Sequence, residues 1–264
     1  MNRKELTSFV CSITASTNAD VVVLIENNVS TEKTLQALRT NVSQDFYYPN
    51  AISKSDQRFH CFCRNPELDL SETHSGTRTS VREFQIGRHK TLLVLVHGVD
   101  IRNYDPQSRQ SFVQNIADQM RLIQEEKRTN KLILLGDFNL NPFDSGMNLA
   151  MGLNAMMTKE CVKPGYRTYL EERYDFYYNP MWSLFGDNTD GPAGTIYDTS
   201  NQGPYGWSML DQVIIHHSVV GLFHSVKILT EAGTESLMNR QGRPDSDKAS
   251  DHFPILVSFC EDYL

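Results

Sequence analysis

The sequence predicts a single layered α/β domain of 264 residues. Three observations predict it. Apolar runs of strand length are interspersed with segments of helical periodicity. Neighbouring runs follow one another through short turns, which requires antiparallel pairs. No internal repeat, low-complexity tract or linker divides the chain.

Residues 4–18 place Leu6, Phe9, Val10 and Ile13 at helical spacing. "ADVVVLIEN" (19–27) is a continuous β-branched run that fits a buried strand and ends in Glu26. Residues 31–41 suit a short helix. "RFHCFCR" (58–64), "SVREFQIG" (80–87) and "KTLLVLVHG" (90–98) are three successive strands, with a polar, loop-like 65–78 and the turn "GRHK" between them. Residues 107–128 form an amphipathic helix with Phe112, Ile116, Met120 and Ile123 on one face. "KLILLGDFN" (131–139) is a strand. "SGMNLAMGLNAMM" (145–157) is helical despite its glycines, its methionines serving packing. Residues 163–206, rich in Tyr, Pro, Gly and Asn, form a long irregular segment, and long ordered loops often carry function. Strands resume at 209–217 and 225–230, and a polar loop, 231–249, leads to a last strand at 250–259.

Composition narrows the class. A hydrophobic fraction of 39% with 10% aromatics supplies a sizeable core. No apolar run approaches the ~20 residues of a membrane helix, and "MNRKELTSFV" lacks the apolar stretch of a secretory signal. Five cysteines without a CxxC pair imply reduced thiols and a cytoplasmic location. Cys61 and Cys63 alternate on one strand face, as core packing rather than metal ligands. The net charge of −7 argues against binding long nucleic acid through the whole surface. A local basic strip could suffice, with Arg78, Arg82, Arg88 and Lys90 as candidates; a solvated strand face is the alternative.

Polar residues mark the ends of the apolar runs. Glu26, His97 and Asp137 with Asn139 close three of them, and Asp251–His252 opens another. Singly, each has a bland account: an exit to solvent, a satisfied core histidine, a turn. "LLGDFNLNP" (134–142) fits either a turn, where Asp and Asn bond nearby backbone, or a site that both side chains reach from one face of an extended chain. Asp211 is harder to dismiss. It lies between Met209–Leu210 and Val213–Ile214–Ile215, where a carboxylate is costly unless paired. Together these positions suggest one catalytic rim.

"VVVLIEN", "LLVLVHG", "LLGDFNLNP", "SMLDQVIIH" and "SDHFPI" resemble, in order and spacing, the motifs of the endonuclease/exonuclease/phosphatase superfamily across residues 19–259. The resemblance implies a four-layer α/β sandwich, two mostly antiparallel sheets face to face with helices outside, in one domain spanning 1–264. It implies a Mg²⁺-dependent phosphodiesterase, with Mn²⁺ able to substitute, and most of all a nuclease. By the same resemblance Glu26 and Asp251 face the metal, His252 is the general base, and Asp211 orients it. Asp137 and Asn139 position nucleophile and phosphate, and His97 takes a further catalytic place. Arg78, Asn141 and Trp207 are the expected substrate contacts. The chemistry suits these types: hard oxygens hold Mg²⁺, a carboxylate-backed imidazole moves a proton near neutral pH, and amide and imidazole donors stabilise phosphoryl oxygens.

Two departures stand out. The resemblance implies a first strand ending in an asparagine ahead of the opening helix, whereas Asn2 follows no strand. The expectation is that an upstream segment is missing or that the protein does without that amide. In deoxyribonucleases the histidine matching His97 is supported by a glutamate just after an arginine, whereas Arg78 is followed by Thr79. Nucleic acid is the expected substrate. A small or lipid phosphate ester is the alternative, and a non-catalytic module of the same fold is a third reading.

Overall fold

The computed structural model describes residues 6–52, 58–187, 190–200 and 205–262. Asn2, the start of the expected first helix at residues 4 and 5, and any strand ahead of it lie outside the described residues.

Helix α1 (Thr7–Thr17) leads into strand β1 (Val21–Ile25), and α2 (Thr31–Asn41) follows, capped by Ser30, whose hydroxyl accepts from Lys33 N. Strand β2 (Phe59–Cys63) pairs antiparallel with β1, Ile25 opposite Phe59. Next come β3 (Asp69–Ser75), β4 (Thr79–Ile86), β5 (His89–His97), α3 (Pro106–Lys127) and β6 (Leu132–Asp137). Strands β3 to β6 lie side by side in a seven-stranded sheet, continued by Asp211–His216, Tyr177–Tyr178 and Ala155–Met156. The sheet is mixed. Strands β4 and β5 are antiparallel; β5 and β6 are parallel, joined over one face by α3; Asp211–His216 runs antiparallel to β6.

The run of β5 is apolar throughout because both its faces are covered. Leu92, Val94 and Val96 meet Val113, Ile116 and Met120 of α3. Leu93 and Leu95 face a second core shared with β1, β2 and the antiparallel pair Phe223–Ile228 and Ile255–Phe259. Cys61 and Cys63 are buried in this second core, unbridged, and burial pushes the Cys61 thiol up to about 12. Helix α1 turns Cys11 toward Phe62 and Leu38, and Phe9 and Ile13 toward Phe253 and Trp207.

Several expectations are corrected. The segment 65–78 is not a loop: it forms a 3-10 turn, Pro66–Leu68, and then edge strand β3, whose serine, threonine and histidine content hid it. The segment 145–157 makes one helical turn, Ser145–Asn148, and then doubles back. Gly152 packs on the Gly146 carbonyl so closely that a Cβ would stand 2.1 Å from it, so the glycines serve close approach. Within 163–206 lie a hairpin, Tyr166–Tyr169 with Glu172–Asp175, and the sheet strand Tyr177–Tyr178. A small hairpin, Glu231–Ala232 with Glu235–Ser236, interrupts 231–249. Residues 250–254 precede the last strand rather than belong to it. No helix among the described residues is long and apolar enough to cross a membrane.

Candidate active site

Strand register assembles the first part of the site. His97 closes β5 and stands opposite Asp137, which closes β6; Asp137 stands opposite Asp211, which opens the antiparallel strand beyond. Three adjacent strands thus deliver an imidazole and two carboxylates to one sheet end. Gly136 permits the fit, since at φ +148° a Cβ there would lie 2.0 Å from the Val96 carbonyl.

Asp137 and Asn139 converge, but not along an extended chain. Asn139 is left-handed at φ +53°, and its backbone N–H donates to Asp137 Oδ1 at 2.8 Å while its Nδ2 donates to Oδ2 at 3.1 Å. The turn and the site are therefore one feature. Arg109 Nη1 holds this turn through the Asn139 carbonyl at 3.0 Å.

The second part comes from loops. His252 Nδ1 donates to Asp211 Oδ2 at 2.8 Å, so the embedded acid has its partner. Thr195, fully buried, fixes both sides of this pair. Its Oγ1 accepts from the N–H groups of Leu210 and Asp211, and its carbonyl accepts from Phe253 N at 2.8 Å. Glu26 follows β1 in a left-handed conformation, φ +55°, with its side chain half exposed. It meets Arg58 from the start of β2: Arg58 Nη1 donates to Glu26 Oε1 at 3.2 Å and to His97 Nδ1 at 2.8 Å. A guanidinium has no acceptor, so the His97 proton lies on Nε2, which is 3.9 Å from Asp137 Oδ2. Glu26 Oε1 is itself 3.7 Å from His97 Nδ1, the two bridged by Arg58 Nη1.

Charge is unbalanced here. Burial, then the Asp211 carboxylate, pushes Asp137 up to about 7. Burial disfavours the His252 cation, but Asp211, its hydrogen bond, Asp137 and Asp251 prevail and push it up to about 10. Burial, with Arg58, Arg78 and His252, holds His97 below the usual histidine range against the opposing pull of Glu26. These carboxylates favour the His252 imidazolium in the metal-free chain. The donors Glu26, Asp137, Asn139, Asp211 and Asp251 are hard oxygens, and crowding that protonates Asp137 is a deficit of positive charge. Both fit a Mg²⁺-class cation. Glu26 and Asp251 nonetheless belong to no tight cluster: among the described residues, Asp175, His216 and His217 form the only group of three His, Cys, Asp or Glu with ligand atoms within 4.8 Å.

The expected substrate contacts fare unevenly. Trp207 stacks near Phe253, the neighbour of His252, with ring centroids 6.3 Å apart. Arg78 is tied to backbone, Nη1 donating to Gly98 O at 2.6 Å, so it braces the His97 loop. Asn141 is buried; its Oδ1 accepts from Met209 N at 2.8 Å, which makes it a clip between two loops. The basic strip does not form. Arg82 is 1% exposed and donates to Leu70 O, Arg88 pairs with Asp262, and Lys90 pairs with Glu83. Arg58 and Thr195 were not singled out in the sequence. The signal for Arg58 is its place beside the strand that must flank Glu26; Thr195 had none.

The Endonuclease/Exonuclease/phosphatase family pattern matches residues 5–252. No curated protein matches the chain. Among solved structures, a truncated TDP2 from Caenorhabditis elegans is similar at 18% identity and TM-score 0.53, covering 96% of this chain and 89% of that one. A D. rerio TDP2 complexed with single strand DNA product is similar at 17% identity and TM-score 0.57, covering 98% and 94%. A mannosyl-6-phosphatase from Bacteroides thetaiotaomicron is similar at 14% identity and TM-score 0.58, covering 96% and 90%. At such identities the likeness is one of fold, and the family match over nearly the whole length gives the assignment: this chain belongs to the endonuclease/exonuclease/phosphatase family.

Proposed function

We propose that the protein is a divalent-metal-dependent phosphodiesterase acting on nucleic acid. One observation carries the reading: the His252–Asp211 pair, 2.8 Å apart, stands at the sheet end that also holds Asp137 and His97 in register. A cation held by Glu26 and Asp251 supplies neutralisation of charge building on the phosphate. The chain's own residues do the rest. Asp211 fixes the imidazole through Nδ1 and leaves Nε2 to face the reaction. The carboxylates that raise His252 are those a cation offsets, so its Nε2 serves as base only where Asp251 and Asp137 are compensated. His97 presents an Nε2 proton beside Asp137, suited to a phosphoryl oxygen or leaving group.

A nucleic-acid substrate is supported by aromatics near His252. Tyr205 is 69% exposed and meets Tyr197, which meets Trp207 at 5.1 Å, and such surfaces stack bases. The similar TDP2 bound to a DNA product is consistent with this. A small phosphate ester is the second reading, favoured by the absent basic strip, and one similar structure is a mannosyl-6-phosphatase. The architecture proposed with it is the four-layer sandwich, with β1–β2 and the pair Phe223–Ile228 and Ile255–Phe259 forming the second sheet layer across the shared core.

Hydrolysis of single-stranded DNA, plasmid, RNA, bis-nitrophenyl phosphate and sugar, inositol or sphingolipid phosphates is to be compared with Mg²⁺ and Mn²⁺. The reading expects the nucleic-acid and diester substrates to lead. Turnover confined to monoesters gives the phosphatase reading instead, and no turnover in any arm leaves a non-catalytic module.

A further inference from the structure

The far end of the strand Asp211–His216 carries a second cluster. Asp211 and His216 are five residues apart on an extended strand, which sets the cluster about 17 Å from the catalytic end. Asp175 closes the hairpin strand Glu172–Asp175, while His216 and His217 lie where the sheet strand passes into a 3-10 turn. One ligand atom from each of the three residues lies within 4.8 Å of the other two. His216 Nε2 is 3.2 Å from Asp175 Oδ2, and the two imidazoles stack with centroids 4.4 Å apart. His217 Nε2 is buried and has no hydrogen-bond partner in the structure. A buried polar nitrogen without a partner is costly and calls for an explanation.

We propose that Asp175, His216 and His217 form a structural transition-metal site of the zinc class, separate from the catalytic cation. Two imidazoles and one carboxylate suit zinc, whereas Mg²⁺ takes an all-oxygen shell. His216 Nδ1 accepts from Ser218 N at 3.2 Å, so the imidazole proton lies on Nε2, which donates to Asp175 Oδ2 at 3.2 Å. Metal entry at Nε2 would move that proton to Nδ1, where Ser218 Oγ, 2.9 Å away and donating its own proton to Asn130 O at 3.0 Å, can accept it. Tetrahedral bonds of about 2.0–2.1 Å place ligand atoms about 3.3 Å apart, so an ion would have to draw together atoms that now lie within 4.8 Å of one another. The Asp175 side chain is 30% exposed, which leaves an entry path and room for water as fourth ligand. Arg173 Nε keeps the other carboxylate oxygen at 2.9 Å. The ion would pin the base of the hairpin Tyr166–Tyr169 and Glu172–Asp175 to the sheet.

Co²⁺ added to the full chain is the probe, followed by visible absorption and by displacement with Zn²⁺. The expected result is one equivalent with tetrahedral bands, unaffected by excess Mg²⁺. The bands should persist in Glu26→Gln, and affinity should fall by about 10–100-fold or more in His217→Gln and Asp175→Asn, each checked for fold by circular dichroism. Bands absent from the wild-type protein, or unchanged in His217→Gln and Asp175→Asn, overturn the site. Zinc-edge absorption on the wild-type protein needs no variant. Two imidazole scatterers at about 2.0–2.1 Å support the site, and an all-oxygen shell overturns it.

Discussion

One strand, Asp211–His216, carries an acid–imidazole pair at each end, and the two ends are charged in opposite senses. At the first, Asp211 and Asp137 stand opposite each other in register, and Asp137 is pushed up to about 7 by burial and its neighbour. At the second, Asp175 is held down at about 2 by His216, with Arg173 adding to the effect. At the first end burial and a facing carboxylate raise an acid; at the second an imidazole and a guanidinium lower one. A folded chain tolerates crowded carboxylates where something else, substrate or metal, changes the balance. The contrast fits the reaction chemistry proposed for the Asp211 end and the structural role proposed for the His216 end.

The largest expected effect falls at the crowded end. His252→Ala should lower kcat on bis-nitrophenyl phosphate by about 10²–10⁴, the range for losing a general acid–base group. Adding Asp211→Asn to that variant should cost little more, because Asp211 acts through the imidazole. Losses that multiply would mean that the two residues work separately, and the pair would no longer be one unit. Glu26→Gln keeps the shape and removes the charge. It should raise the Mg²⁺ needed for half-activity by roughly tenfold or more, since ligand charge tunes affinity. An unchanged requirement would leave Glu26 as the partner of Arg58 alone.

The balanced end should reveal itself in stability. Asp175 is depressed from 3.8 to about 2 in the folded chain. A carboxyl depressed by folding contributes stability above its unfolded pKa and loses it as pH falls toward the folded value. Asp175→Asn should therefore cost about 2 kcal/mol at pH 7. The gap between variant and wild type should narrow below about pH 4 and close near pH 2. Denaturant melts across that range measure it. A gap that stays constant with pH would mean that packing, not charge, holds Asp175.

The two ends were not equally legible in the sequence. Asp211 stood out because a carboxylate inside an apolar strand has to be explained, and its partner His252 opens a later apolar run. Glu26, His97 and Asp137 marked the ends of runs whose apolar content already implied strands. The His216 end gave no such signal. Asp175 lies in a segment expected to be irregular, and the two histidines of "VIIHH" were read only as the end of a strand. Their meeting depends on a two-residue strand, Tyr177–Tyr178, pairing with Ile215 and His216, too short for any periodicity to announce. The surroundings of the expected substrate contacts were hidden for a related reason. Whether Asn141 or Arg78 faces a substrate or the backbone is decided by residues outside its own run, the Met209 N–H in one case and the Gly98 carbonyl in the other.

The smallest expected change in stability is also the sharpest test of the crowding. Asp137→Asn should abolish most activity and yet stabilise the metal-free protein. Asp137 is raised from 3.8 to about 7 in the folded chain. A carboxyl raised by folding favours the native state below its unfolded pKa, and that advantage is lost as pH climbs to the folded value. Above pH 7 the wild type therefore carries the full cost of a buried charge facing Asp211. Asparagine removes it while its Oδ1 still accepts from Asn139 N. A tenfold change in proton affinity corresponds to about 1.4 kcal/mol, and the attraction of Asp137 for protonated His252 is already within its raised value. The variant should be more stable than wild type by about 1 kcal/mol or more at pH 8, the gain fading to nothing below pH 4, where Asp137 is protonated in folded and unfolded chains alike. Thermal melts in chelator from pH 4 to pH 8 decide it. A variant no more stable than wild type at pH 8 would mean that the carboxylates at this end are already compensated, and the contrast between the two ends of the strand would disappear.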